Sequence, residues 1–223
     1  MDIPGEVAVR VMKGLMDDGS YIEDEVGGEY FAGVVAASRS ANGSDDAGVT
    51  LIEIMNGLSS VQLRAHYALY SAAQRAVASR RGVDLHSTKN RDNWSRLAVP
   101  SVQFLHAVAG PDQANWAGDV VGPIMRGLKR MDLIDANAGW VMGRPEVLRA
   151  IERDAQWPCP AVVFTVTNFG IELFCAAHGF RTLKAFKRPY DDFVARFKAQ
   201  VPSCEPFVVA DLPSYPEDAL TPA

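Results

Sequence analysis

Histidines, cysteines and paired carboxylates are the side chains that make general bases, nucleophiles and metal ligands, and in this chain their spacing favours none of the three. His66, His86, His106 and His178 form no HxxxH, HExxH or HxH pattern, the spacings that bring two imidazoles to one metal ion. His66 stands beside Tyr67 at the boundary of an apolar stripe, so a hydrogen-bonded structural imidazole is the expected role; His178 ends an apolar helix face and is suited to complement the carbonyls there. Cys159, Cys175 and Cys204 are odd in number and lack CxxC spacing, which points away from a disulfide framework or a zinc site and toward a reducing cytosol. Cys175, within ELFCAA, reads as a small core residue. Asp45 and Asp46 carry the charge to hold a divalent cation, but adjacent aspartates in a Gly and Ser loop are ordinarily solvated turn residues. Neither Arg64-Ala65-His66 nor Arg91 and Arg96 with His106 has the RxxxxH spacing that some helical ribonucleases use. GxSxG, Walker-type and GxGxxG motifs are also absent. No catalytic residue, metal or cofactor is therefore expected from local spacing, and a nuclease or other hydrolase would have to assemble Arg64, His66 and Asp45 or Asp46 in three dimensions.

The cations are a different matter. Arg126, Lys129 and Arg130 close one helical pattern, and Arg181, Lys184, Lys187 and Arg188 follow within sixty residues. Residues 1–60 hold 3 basic against 11 acidic side chains, residues 61–200 hold 19 against 12, and residues 201–223 hold none against 4. A basic middle between acidic ends offers a surface to an anionic partner, with phosphate the natural one; neutralisation of opposite charges across the folded surface is the plainer reading.

Several elements position these residues. Glu23–Ser38 reads as a helix with acidic residues in its first turn, weakened by Gly27 and Gly28. A loop, SRSANGSDDAG, leads to a short helix over Val49–Gly57. Ser59 and Gln62 form a capping box, which predicts a helix from there to about Arg81, with Leu63, Tyr67, Tyr70, Ala73 and Val77 as its buried stripe. Pro100 separates an extended piece from a helix over Val102–Ala109, and Val120–Met131 is helical with Val121, Ile124, Met125 and Leu128 on one side. DLIDANAGWVM has the pattern of a strand with a turn, Pro145 opens a short helix, and AVVFTVT is a strand. Thr167 or Asn168 then caps a helix stopped by Gly179, and Tyr190–Lys198 adds a last one. From Pro202 five prolines in 22 residues predict an extended or disordered tail.

The order from Val120 to Phe174, helix, strand, helical insertion, strand, capped helix, resembles a winged-helix module, in which Arg126, Lys129 and Arg130 would face a phosphate backbone, supported by Lys184, Lys187 and Arg188. Winged helices also serve as protein-interaction units, so the likeness carries fold further than function. The expected fold is mainly α with a small β part: a helical region over 1–110, a winged-helix-like region over 111–200 and an acidic Pro-rich tail over 201–223, together one compact unit. Hydrophobic residues at 48% and charged residues at 22% are ordinary globular usage. Charges interrupt each apolar run before it reaches the roughly 20 residues of a membrane span, and the acidic N-terminus lacks the basic start of an export signal. A cytoplasmic protein is expected, with a nucleic-acid or protein partner and homodimerisation through alanine-rich helices.

Three phrases, EYFAGVVAASRS, DDAGVTLIEIMNGLSSVQLRAHYALY and VTNFGIELFCAAHG, resemble the bacterial abortive-infection Abi-alpha family in patches over residues 29–179. The resemblance implies a bacterial protein of ill-defined activity connected with defence against phage. It brings no catalytic residues with it, and Ser59, Gln62, His66 and Tyr67 match as capping and packing positions. Two other functions stand beside it: a winged-helix DNA-binding regulator, and the hydrolase described above.

Overall fold

The computed structural model describes residues 5–18, 24–40, 46–78, 80–87, 92–109, 120–137, 139–149 and 156–213. In chain order these form β1 (Glu6–Val7), α1 (Val9–Asp18), α2 (Glu25–Ala37), β2 (Arg39–Ser40), α3 (Ala47–Asn56), α4 (Ser60–Ala78), α5 (Asp92–Ser95), β3 (Arg96–Pro100), α6 (Ser101–Ala109), α7 (Val121–Arg130), β4 (Trp140–Gly143), α8 (Pro145–Arg149), β5 (Ala161–Thr165), α9 (Asn168–Ala177), a 3-10 segment (Leu183–Lys187), α10 (Tyr190–Val194) and β6 (Phe207–Val208). The fold is mixed, helix-rich with small antiparallel sheets: β1 pairs with β2, and a second sheet runs in the order β4-β5-β3-β6.

The centre of the molecule is α4. Its start is the reciprocal capping box that the sequence encodes: Ser59 N–H donates to Gln62 Oε1 at 2.9 Å, and Gln62 N–H donates to Ser59 Oγ at 3.3 Å. The stripe expected on one face is only part of what is buried, because Ala65, His66, Ala68, Leu69, Ala72, Gln74 and Ala76 are inside as well. Small side chains let α2, α6, α7, α9 and the 3-10 segment all pack on this one helix. Ala65, Ala68, Ala72, Ala73 and Ala76 of α4 are thus packed inside the protomer.

Alternation along the strands divides two apolar clusters. Leu97, Val99, Val162 and Phe164 face the main core, whereas Ala98, Ala161 and Val163 face a smaller cluster with Leu148, Trp157 and Val209. A strand covered on both faces explains why AVVFT is apolar without interruption. Strand β5 pairs antiparallel with β3, Arg96 opposite Thr165, and with β4, Trp140 opposite Phe164. The sheet therefore takes β3 from before residue 110, β4 and β5 from 111–200 and β6 from the tail, so strand pairing crosses both divisions expected from the sequence. One buried cluster extends from Ala8 to Val208.

Three expectations need correction. The tail is ordered as far as Pro213: Phe207 and Val208 pair with Ala98 and Leu97, and Cys204 is buried. Backbone donors on the open edge of β3 outweigh the proline content, and Pro202 and Pro206 precede the paired residues, where a missing N–H costs nothing. Residues 214–223 lie outside the described residues. Helix α10 ends at Val194, because Phe197 turns inward to stack on Tyr67. Finally, α4 ends at Ala78, short of Arg81, with Gly82 at φ 78° in the turn beyond it.

Candidate functional site

Helix α9 begins with Thr167, whose Oγ1 accepts the Gly170 N–H at 2.9 Å. It ends in a Schellman motif: Gly179, at φ 74°, donates its N–H to Ala176 O, and Phe180 N–H donates to Cys175 O. That reversal turns Phe180 back toward the protein and sends the next residues across the ends of α2 and α9. Ala185 and Phe186 of the 3-10 segment are buried, which leaves Lys184 and Arg188 facing outward beside Arg181.

The result is a cleft of about 750 Å³ lined by Arg39, Arg181, Lys184, Arg188 and Arg196, with Ala36, Gly179 and Ala185 among its other walls. Among the described residues no carboxylate lines it. The guanidinium carbons of Arg188 and Arg196 lie 5.0 and 4.5 Å from the Phe180 ring centroid, so the ring face holds two of the cations in place. Arg39, Lys184, Arg188 and Arg196 form no ion pair with a described carboxylate. Uncompensated cations converging on one concavity favour a multiply charged anion, phosphate above all.

A second cleft, of about 700 Å³, adjoins the first and shares Phe180, Arg181, Thr182 and Lys184 with it. Leu51, Phe169 and Ala176 give it apolar walls, and Thr50, His86 and Glu172 supply polar groups.

The six cations expected from the sequence to meet nucleic acid separate into two groups. Lys184 and Arg188 line the first cleft. Lys187 instead donates its ammonium to the carbonyl of Val83 and clasps the loop after α4. Arg126, Lys129 and Arg130 are exposed on α7 at helical spacings that share a face. Gln62 of α4 donates to Pro123 O on α7 at 3.4 Å, and Gln74 donates to the carbonyls of Phe186 and Arg188. Twelve residues of helix put these two basic regions about 18 Å apart along α4. Arg39 and Arg196 escaped sequence reasoning: they stand 157 positions apart in the chain, and only the fold brings them to one cleft.

A hydrolytic centre built on Arg64, His66 and Asp46 does not form. His66 is completely buried; its Nδ1 accepts the Tyr30 hydroxyl at 2.6 Å, and its Nε2 lies 3.2 Å from Gly170 O. A carbonyl can only accept, so Nε2 carries the proton and the ring is neutral. Burial drives its pKa down to about 3. Arg64 pairs with Asp24 at 3.4 Å and Asp46 with Arg10 at 3.6 Å, while Asp45 lies outside the described residues. His178 donates from Nδ1 to Phe174 O at 2.7 Å, the carbonyl-capping role its position implied. Among the described residues no group of three or more His, Cys, Asp or Glu is arranged to hold a metal ion, and no helix is long and apolar enough to cross a membrane. No family model, curated protein or solved structure matches the chain.

Proposed function

We propose that this chain is a nucleic-acid-binding protein of the abortive-infection type, which acts through its phosphate contacts rather than through catalysis. The observation that carries this reading is the cleft itself: five cations and, among the described residues, no lining carboxylate, in a protein whose net charge is -5. A net negative chain that gathers cations in one place disfavours general adhesion to polyanions and favours it at that place. The defence connection rests on the phrases EYFAGVVAASRS, LSSVQLRAHYALY and VTNFGIELFCAAHG.

The test is fluorescence anisotropy with labelled single-stranded RNA and duplex DNA across a salt series. Binding should weaken linearly in log salt, with a slope reduced by about 0.7 to 0.9 for each cation removed. The combined change Arg39→Gln, Lys184→Gln and Arg196→Gln should lower affinity about tenfold or more at low salt. No binding to either probe at low salt would end the reading.

A second reading has its own observation. Sheet order β4-β5-β3, with α6 and α7 between β3 and β4 in the chain, supports a winged-helix reading, in which α7 would be the recognition helix with Arg126, Lys129 and Arg130 on its exposed face. A regulator of that kind prefers duplex DNA and loses it on Arg126→Gln, Lys129→Gln and Arg130→Gln, while the cleft substitutions leave it bound. The two triple variants assign the interface.

A further inference from the structure

We infer that the two adjoining clefts receive one unpaired nucleotide, its phosphate among the cations and its base in the apolar-walled slot beside them. This rests on the nucleic-acid reading above and specifies it: the ligand is a single strand, recognised in part through a base that is not engaged in pairing.

The division of labour between the clefts carries the inference. Arg39, Arg188 and Arg196 belong only to the first cleft, and Leu51, Phe169 and Ala176 only to the second, while Phe180, Arg181, Thr182 and Lys184 form the shared wall. A ligand that fills both must have an anionic part joined by a short linker, such as a sugar, to a flat, mostly apolar part with polar edges. A nucleotide within a strand has that construction. Each cleft is also within the roughly 300–1,000 Å³ range of sites for small organic groups, so neither has to open to admit one residue of a strand.

The polar groups around the slot suit a base edge. Glu172 is exposed on α9 and accepts from an exocyclic amine; the Thr50 hydroxyl and the His86 ring can each donate or accept. A base in a duplex has these edges occupied and is stacked on both sides, so it cannot enter. Single strands are bound elsewhere in the same physical manner, with cations along the backbone and unstacked bases turned into apolar recesses.

The experiment compares three labelled 12-nucleotide probes on the full chain: a base-bearing single strand, the same strand with abasic residues, and a duplex. A plug is added at an exposed slot position that carries no cleft charge, Thr50→Trp, with Glu172→Trp as a second plug from the opposite wall, and thermal unfolding verifies that each variant folds. The base-bearing strand should bind about tenfold more tightly than the abasic strand. Both plugs should abolish that preference, and the uncharged Thr50→Trp change should leave abasic binding and its salt slope unchanged. Equal affinity for base-bearing and abasic strands, insensitive to the plugs, overturns the slot while leaving the phosphate reading intact. Tightest binding to the duplex also overturns it. No binding to any probe fails the underlying reading instead, and a free nucleoside monophosphate that competes more tightly than the strand replaces the strand as ligand and overturns the inference in that form.

Discussion

Tyr70 holds Thr167 in place: its phenol oxygen accepts the Thr167 backbone N–H at 3.0 Å and donates its own proton to the carbonyl of Leu133. Thr167 in turn donates from Oγ1 to Asp132 O at 2.6 Å and caps α9 through Gly170 N–H. One buried hydroxyl on α4 therefore joins the turn after α7, the end of β5 and the start of α9, the helix whose far end builds the cleft. Gly170 is required beside it, since a Cβ there would lie 2.0 Å from the Tyr70 oxygen.

Tyr70→Phe strands a buried N–H and a buried carbonyl, each costing about 1–3 kcal/mol when unpaired, so a loss of about 2–6 kcal/mol is expected. Urea unfolding measures it as a lower midpoint at unchanged slope. Ser71→Ala, one residue on, removes a half-buried bond to the Tyr190 hydroxyl at 2.9 Å and should cost about 1 kcal/mol. Equal effects from the two variants would contradict the role given to Tyr70.

What was legible in the sequence was local. Ser59 and Gln62 specify the start of α4 by bonds three residues apart, and Thr167 specifies α9 in the same way. AVVFT declared a strand because burial on both faces demands continuous apolar residues. The cleft was half legible: Lys184 and Arg188 stand close together in the chain, but Arg39 comes from 142 positions before Arg181, and no periodicity links them. The burial of His66 was underestimated for a related reason. Its partners Tyr30 and Gly170 are 36 and 104 residues away, and only long-range packing closes over it. The order of the tail was misread because proline frequency reports what a segment does alone, whereas β6 exists through the open edge of β3.

Two glycines of α2 should respond in opposite directions to one substitution. A Cβ on Gly33 would lie 1.8 Å from the Ala177 carbonyl oxygen, where α2 crosses α9, and backbone cannot yield cheaply. Gly33→Ala should cost about 2 kcal/mol or more, and because it levers the end of α9 it should also weaken binding at the cleft. Gly28 has open space within 4 Å of the same added carbon and is exposed. Gly28→Ala should gain about 0.5–1 kcal/mol from reduced backbone entropy. Differential scanning calorimetry on both variants reads the sign of each.

The three thiols should differ in reactivity. Cys175 and Cys204 are buried, and burial lifts both thiol pKa values to about 12, which removes the reactive thiolate at ordinary pH. Cys159 is half-buried, with its thiol raised less far by the same cause. Titration with Ellman's reagent at pH 8 should find one slowly reacting thiol in the folded chain and all three in guanidinium. Rapid native labelling of two or three would place Cys175 or Cys204 at the surface.

Acid should destabilise the protein through its two buried imidazoles. Burial lowers His66 to about 3 and His178 to about 4, against an ordinary value of 6.5 in the unfolded chain. Between those values the unfolded state takes up protons that the folded state refuses, so stability is complete above about pH 6.5 and falls as pH drops. The limiting slope is about 1.4 kcal/mol per pH unit for each ring, ending near pH 3 for His66 and near pH 4 for His178. His178 offers little relief, because its Nε2 is buried without a hydrogen-bond partner among the described residues and its ring lies against Tyr67, Phe174, Phe193 and Phe197. Urea midpoints from pH 7.5 to 4.5 should therefore decline steadily, and His66→Asn, which cannot charge, should be less stable at neutral pH yet decline less steeply. A midpoint that rises toward acid, or a slope unaltered in that variant, would mean that His66 meets water and titrates like an exposed ring.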